Sequence, residues 1–330
     1  MNPQARAPLA LAAVLSFACA HQEAKRAAGP FADGRASVEA LHAKYAALEA
    51  HGWLRETIHT YADGDEIRAW RTPATGRALW ILAGIHGEEP AGPNAIADEV
   101  ASLAAFAGRG VAVVAVPLCS PRAYRNHWRY PNTPERDWRK AGYSVGDAEY
   151  LLEDLANPAR PRAPAAPGPD TLALTQFVLR TAAAYPPALV LDLHEDELSA
   201  EGGYIYSQGV SADDNPVGAE VIRLLQGAGI PLRLLGKTRF GEPIVRGAIS
   251  RDAEGRPIRD GSIDELFAAR EIFRNGERAA GPGARTVIVV ETPAFAGSQL
   301  ALRLGAHAAV LREIAALWRI NEALRASGER

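Results

Sequence analysis

Four stretches of the chain are apolar almost without interruption: 79–83, 111–118, 189–193 and 286–290. None alternates apolar with polar residues, as a strand with one wet face does. Continuous runs of this length predict strands covered on both faces, the pattern of a largely parallel or mixed sheet. Between them the apolar residues recur at helical spacing over 93–106, 172–184, 215–226 and 300–324. Ser37 precedes a further helical pattern, Val38, Leu41, Tyr45 and Leu48, in the position of an N-cap. Two short strands, 57–61 and 66–72, flank the turn Asp63-Gly64-Asp65.

Strands alternating with helices predict an α/β fold, a mixed and largely parallel central sheet sandwiched by helices. Two stretches break the rhythm. Residues 120–168 are rich in Arg, Pro and Ala, and residues 236–262 in Gly, Arg and Asp. Long segments without periodicity are often functional. No internal repeat and no linker divides the chain, so residues 21–330 read as one domain.

Hydrophobic residues make up 48% of the 330, enough for a large core, and the net charge is −3. No basic face is evident, which argues against a nucleic-acid partner. Residues 1–20 read as a signal peptide: a short start with one positive charge, the small apolar run 7–19, and Ala18-Cys19-Ala20 as a small-x-small cleavage site. Cys19 offers a second reading, as a lipid-attached cysteine. Either way the expected location is exported, periplasmic or extracellular. No other stretch reaches the length of a membrane span. Cys119, the other of two cysteines, follows an apolar run and reads as a buried small hydrophobe.

The candidate chemistry sits at the ends of the apolar strands, where α/β sheets collect their ligands. The first strand runs into Gly84-Ile85-His86-Gly87-Glu88-Glu89-Pro90. His86 and Glu89 can reach one metal ion if a turn brings them together, and imidazole nitrogen with carboxylate oxygen suits Zn²⁺. Gly84 and Gly87 leave room for a bend and for a substrate. His194 ends the third strand and would complete a His₂Glu set, leaving an open coordination position. Glu291 ends the fourth, placed to take a proton from a water that the ion acidifies. Taken singly, each also reads as an ordinary polar residue at a strand end.

Together these blocks resemble the zinc carboxypeptidase family of the carboxypeptidase A type, including its aspartoacylase and succinylglutamate desuccinylase relatives, over roughly residues 75–320. The His86-Gly87-Glu88-Glu89 block resembles the family's His-x-x-Glu zinc motif. Leu193-His194 followed by Tyr204-Ile205-Tyr206-Ser207 resembles the third-ligand strand and the tyrosine-rich strand after it. Val290-Glu291-Thr292-Pro293 resembles the strand bearing the catalytic glutamate. The resemblance implies zinc held by His86, Glu89 and His194, with Glu291 as general base. It also implies an oxyanion-binding arginine in Asn126-His127-Trp128-Arg129, with Arg129 as first choice and Arg125 as second. Asp147 matches the aspartate that hydrogen-bonds a zinc histidine. Asn126, Arg125, Glu149 and Tyr206 are the implied substrate contacts.

One departure bears on substrate. The family follows that aspartate with an Asn-Arg pair that clamps a terminal carboxylate, and Glu149-Tyr150 stand at those positions. A carboxylate there would repel the usual substrate end. Either another arginine of 122–139 holds a carboxylate, or the substrate presents an amine to Glu149. The expected activity is zinc-dependent hydrolysis of an amide or peptide bond, carboxypeptidase-like, on a peptide such as those of the cell envelope. The alternatives are an N-acyl-amino-acid deacylase of the desuccinylase type and a non-catalytic exported binding protein on the same fold. A serine triad is disfavoured, because no Gly-x-Ser-x-Gly elbow occurs.

Overall fold

The computed structural model describes residues 33–131, 149–153, 160–163, 166–196, 202–209, 213–294 and 299–328. The chain opens with helix α1 (Val38–Tyr45), capped by the Ser37 hydroxyl on the Ala40 N–H, and a 3₁₀ turn (Ala46–His51). A hairpin follows, β1 (Leu54–Thr60) and β2 (Glu66–Arg71), then β3 (Ala78–Ala83). Helices α2 (Ala91–Asp98) and α3 (Val100–Ala107) lead to β4 (Ala112–Val116) and the short α4 (Pro121–Asn126). Helix α5 (Pro169–Thr181), β5 (Pro187–Asp196), β6 (Tyr204–Gly209) and α6 (Pro216–Gly227) come next. The small strands β7 (Leu235–Lys237), β8 (Pro243–Val245) and β9 (Ala248–Ile249) precede α7 (Ile263–Ala268) and the hairpin β10 (Glu271–Arg274) with β11 (Glu277–Ala280). The chain ends in β12 (Thr286–Pro293), α8 (Leu300–Arg312) and α9 (Ile314–Gly328).

Ten of these strands form one sheet in the order β1-β2-β4-β3-β5-β12-β6-β9-β8-β7. Its centre, β4-β3-β5-β12, is parallel, and these are the four apolar runs of the sequence. β6 joins β12 antiparallel, and the β1–β2 hairpin closes the other flank. Every residue of β3 and β4 is buried, as expected of strands covered on both faces.

Side-chain alternation sorts the core into two layers. Leu79 and Ile81 of β3, Leu191 and Leu193 of β5 and Val290 of β12 face α1, α2, α3, α6, α8 and α9. Trp80 and Leu82 of β3, Val190 of β5 and Val287 of β12 face α5 and α7. Trp80 anchors the second layer. It is fully buried, packs edge-on against Phe177 and Phe267, and donates its indole N–H to the Tyr185 carbonyl at 2.9 Å. Phe267 is therefore core.

Two predicted helices differ in detail. The pattern over 93–106 forms two helices, broken at Glu99, and that over 300–324 breaks at Glu313. The Glu99 carboxylate accepts from Ser102 Oγ at 2.6 Å and from Arg312 Nε at 2.7 Å, holding the break while the apolar stripe continues through it. The segment 236–262, without periodicity in the sequence, carries β8 and β9, which extend the sheet beyond β6. Strands of two or three residues are too short to show alternation. No helix among the described residues is long and apolar enough to cross a membrane.

Candidate metal centre

The loop after β3 turns at Gly84, whose φ of +66° is left-handed. Gly87 is required for a different reason from the one its sequence position suggests. A Cβ there would lie 2.0 Å from the Ala123 carbonyl carbon and 2.2 Å from the Tyr124 nitrogen. The space it leaves is filled by the backbone of α4, so Gly87 does not open a path for substrate. Arg35, 1% exposed, locks this contact by donating to the carbonyls of Gly87 (2.7 Å) and Tyr124 (3.1 Å). The loop then enters α2 at Ala91, with His86 and Glu89 on one turn.

Three side chains converge where β3 and β5 end. His86 Nδ1 lies 2.6 Å from Glu89 Oε1, and His194 Nδ1 lies 2.8 Å from Glu89 Oε2. Their ligand atoms all fall within 4.8 Å of one another, so the group is able to hold one metal ion. The imidazole rings meet edge to face, with centroids 5.0 Å apart. Burial opposes ionisation of Glu89, but the two imidazoles outweigh it and hold the carboxyl well below the usual carboxylate range.

Behind His194 stands Asp192, two residues earlier on the same strand face. Its Oδ2 is 3.2 Å from His194 Nε2, the nitrogen turned away from Glu89. Burial lowers the basicity of His194, yet Asp192 and Glu89 together raise it well above the usual imidazole value. Asp264 of α7 completes this layer. Burial, with the charges of Asp192 and Asp260, pushes its carboxyl well above the usual range. Asp192 was not among the expected site residues. An Asp-x-His pair on a strand puts both side chains on one face, and that period-two signal was available in the sequence.

Glu291 pairs in register with His194 across the parallel β5–β12 ladder and with Tyr204 across β12–β6. Burial pushes its carboxyl well above the usual range; Glu89 and Asp196 add to this, while His194 and Arg129 oppose it. Tyr204 and Tyr206 project from β6 with their rings edge to face. Their hydroxyls donate to Asp196 Oδ2 (2.8 Å) and Glu242 Oε2 (3.0 Å) respectively.

The expected arginines divide. Arg129 reaches the His86–Glu89–His194 group, its Nη1 2.9 Å from Glu88 Oε1 and 3.3 Å from Glu89 Oε1. Arg125 points elsewhere, donating to Asp65 and Glu39 at 2.6–2.9 Å. The Asn126 amide donates to the Arg122 carbonyl within its own helix. Neither Arg125 nor Asn126 is brought to the His86–Glu89–His194 group. Asp147 lies outside the described residues. Burial raises the Glu149 carboxyl, and neither of its oxygens has a hydrogen-bond partner among the described residues. Tyr150 packs against the second core layer, and its carbonyl accepts the Phe273 N–H at 2.7 Å.

No family model and no curated protein matches the chain. Solved structures do. A Shewanella baltica OS155 protein assigned as a metallopeptidase aligns with a TM-score of 0.63 at 21% identity, over 88% of this chain and 99% of that one. A second such protein, from Shewanella amazonensis SB2B, gives 0.61 at 21% identity, over 84% and 91%. Carboxypeptidase A from Helicoverpa armigera gives 0.57 at 12% identity, over 88% and 74%. Identities this low establish the backbone and its topology, and on that ground the chain has the zinc carboxypeptidase-like fold, a mixed and largely parallel sheet flanked by helices.

Proposed function

We propose that the protein is a zinc-dependent amide hydrolase of the carboxypeptidase-like type. One observation carries this reading: two imidazole Nδ1 atoms approach the two oxygens of a single buried carboxylate, with a second carboxylate, the half-buried Glu291, in register beside one of them. Three lone-pair donors so close together suit a cation, and two imidazole nitrogens with one carboxylate oxygen are a set zinc accepts. Asp192 would accept a hydrogen bond from the His194 Nε2–H, which fixes the tautomer and leaves the Nδ1 lone pair free for the ion.

A zinc ion held there supplies Lewis acidity, polarising a carbonyl and acidifying a water. Glu291 would accept a proton from the attacking water on a carboxylate oxygen and return it to the departing amine nitrogen. The Arg129 guanidinium lies beside the group and stabilises negative charge gathering on the carbonyl oxygen.

Recognition of the leaving group is less constrained. Tyr150 is committed to the core and Glu149 is acidic, so neither replaces an Asn-Arg carboxylate clamp. This favours keeping N-acyl-amino-acid deacylation beside peptide hydrolysis, since both use the same ion and base. The signal-like residues 1–20 point to cell-envelope peptides as one substrate class.

The test is metal analysis of the purified protein together with hydrolysis of short peptides, envelope-derived fragments and N-acyl amino acids. Replacing His86 or His194 by Ala should remove the metal. Glu291→Gln should keep the metal and reduce turnover by about 10²–10⁴-fold. Full hydrolase activity in metal-free protein would end this reading.

A further inference from the structure

Glu88 sits between two residues of the metal group and is not itself one of them. Its side chain is 6% exposed. One carboxylate oxygen, Oε1, accepts from Arg129. The other, Oε2, is buried and has no hydrogen-bond partner among the described residues. Leaving a buried carboxylate oxygen unpaired is costly, so its retention asks for a reason.

Glu88 also lines a cavity of about 160 Å³ that adjoins the metal ligand Glu89. The other charges around this cavity largely cancel in pairs. Asp33 is bound by Arg35 at 2.8 Å, and Glu195 is bound by Arg303. The Glu88 carboxylate is paired with Arg129 through Oε1, and among the described residues its Oε2 is left without a donor, so the cavity wall offers an acceptor to a cation carrying hydrogen-bond donors. A second metal ion is a poor match, because among the described residues only His86, Glu89 and His194 gather three ligand atoms. The volume admits an aminoalkyl group and not a peptide chain.

The cavity lies on the opposite side of the sheet edge from the proton acceptor. Glu195 and Arg303 belong to the α2 and α8 side, since Glu195 also accepts the Ala91 N–H at the start of α2. His194, Glu291, Tyr204 and Tyr206 belong to the α7 side. A substrate lying across the metal group directs its departing amine toward Glu291, which must protonate it. Its acyl part then extends toward Glu88.

We propose that the protein recognises a primary ammonium on the acyl side of its substrate, and that Glu88 is the residue that receives it. This rests on the zinc-hydrolase reading and narrows its substrates to small amino-acyl amides bearing a free amine. A charge-assisted hydrogen bond in a shielded site corresponds to roughly a ten- to hundredfold preference.

The test uses hydroxamates, which chelate zinc without needing a leaving group. Glycine, β-alanine and 4-aminobutyric hydroxamates, each with its N-acetyl counterpart, are titrated against the zinc-loaded full chain near neutral pH, where the amines are largely protonated. At least one free amine should bind about ten- to a hundredfold more tightly than its acetylated partner. Glu88→Gln, checked for zinc content to establish that it folds, should bring that ratio close to one. Glu88→Asp should shift the preference toward a longer aminoalkyl chain, and it serves if the Gln variant does not fold. Equal binding within all three pairs overturns the proposal, as does a preference that survives Glu88→Gln. Failure to bind zinc, or to bind any of the six compounds, would instead remove the zinc-hydrolase reading and the proposal with it.

Discussion

Asp192 and His194 share one face of β5, with Asp192 Oδ2 3.2 Å from His194 Nε2 while His194 Nδ1 faces Glu89. A carboxylate behind a ligand histidine fixes its tautomer and strengthens it as a donor, and loss of such a partner costs about 10–100-fold in metal affinity. Asp192→Asn should therefore keep the fold and weaken zinc binding by about that factor. Competition with a chelator of known affinity measures it. Zinc affinity equal to that of the parent protein would show that the contact plays no part in holding the ion.

Asp196 acts on Glu291 through its charge. Burial is the main reason the Glu291 carboxyl sits high, and Asp196 raises it further. Asp196→Asn removes one negative charge and keeps an acceptor for the Tyr204 hydroxyl. The Glu291 pKa should then fall. A general base works in its deprotonated form, so the acid limb of the kcat/KM profile should move to lower pH. That direction holds whatever a bound ion adds, because the ion is present in both proteins. A limb that stays in place, or moves up, would mean that Glu291 is not the group whose titration sets it.

The four central strands and most helices were legible because each is long enough to show its period. β6 was reached through its tyrosines, and β8 and β9 could not be read because they are two or three residues long. The convergence of His86, Glu89 and His194 followed from strand ends in a parallel sheet, a rule of topology more than of spacing. Arg125 shows the limit. Arg125 lies in the last turn of α4 and Arg129 four residues on, just past the helix, and no local pattern says which of them turns toward the site. Partners distant in sequence decide it: Asp65 and Glu39 take Arg125, while Glu88 and Glu89 take Arg129. Gly87 is a similar case, since the backbone it makes room for belongs to α4, well downstream.

The buried pair Glu195–Arg303 ties the end of β5 to α8, and Glu195 Oε2 accepts the first N–H of α2 at 2.9 Å. Burial raises the Glu195 carboxyl even though Arg303 opposes this. Arg303→Met should strand a buried carboxylate and cost about 3–5 kcal/mol. Adding Glu195→Gln should restore part of that loss, because the unpaired charge is then gone. Chemical denaturation of the parent, both single variants and the double variant gives the coupling between them. If the double variant lost the simple sum of the two single losses, the residues would be energetically independent.

His42 supplies a stability switch remote from the metal group. It is buried on α1 beside Tyr45 and Trp70. Burial, helped by the Arg68 charge, lowers its pKa from 6.5 to about 4. Above pH 6.5 the imidazole is neutral in both folded and unfolded chains, so it adds no pH dependence there. Between about 6.5 and 4 the unfolded chain binds a proton that the folded chain refuses, and stability falls as pH falls. Below about 4 both states are protonated and this contribution levels off. At about 1.4 kcal/mol per pKa unit, the full loss is roughly 3 kcal/mol. His42→Phe keeps an aromatic ring between Tyr45 and Trp70 and removes the titration. Thermal or denaturant unfolding from pH 7 to pH 4 should show a shallower decline for the variant by about that amount. Parallel curves for the two proteins would mean that His42 reaches solvent and titrates as it does in the unfolded chain.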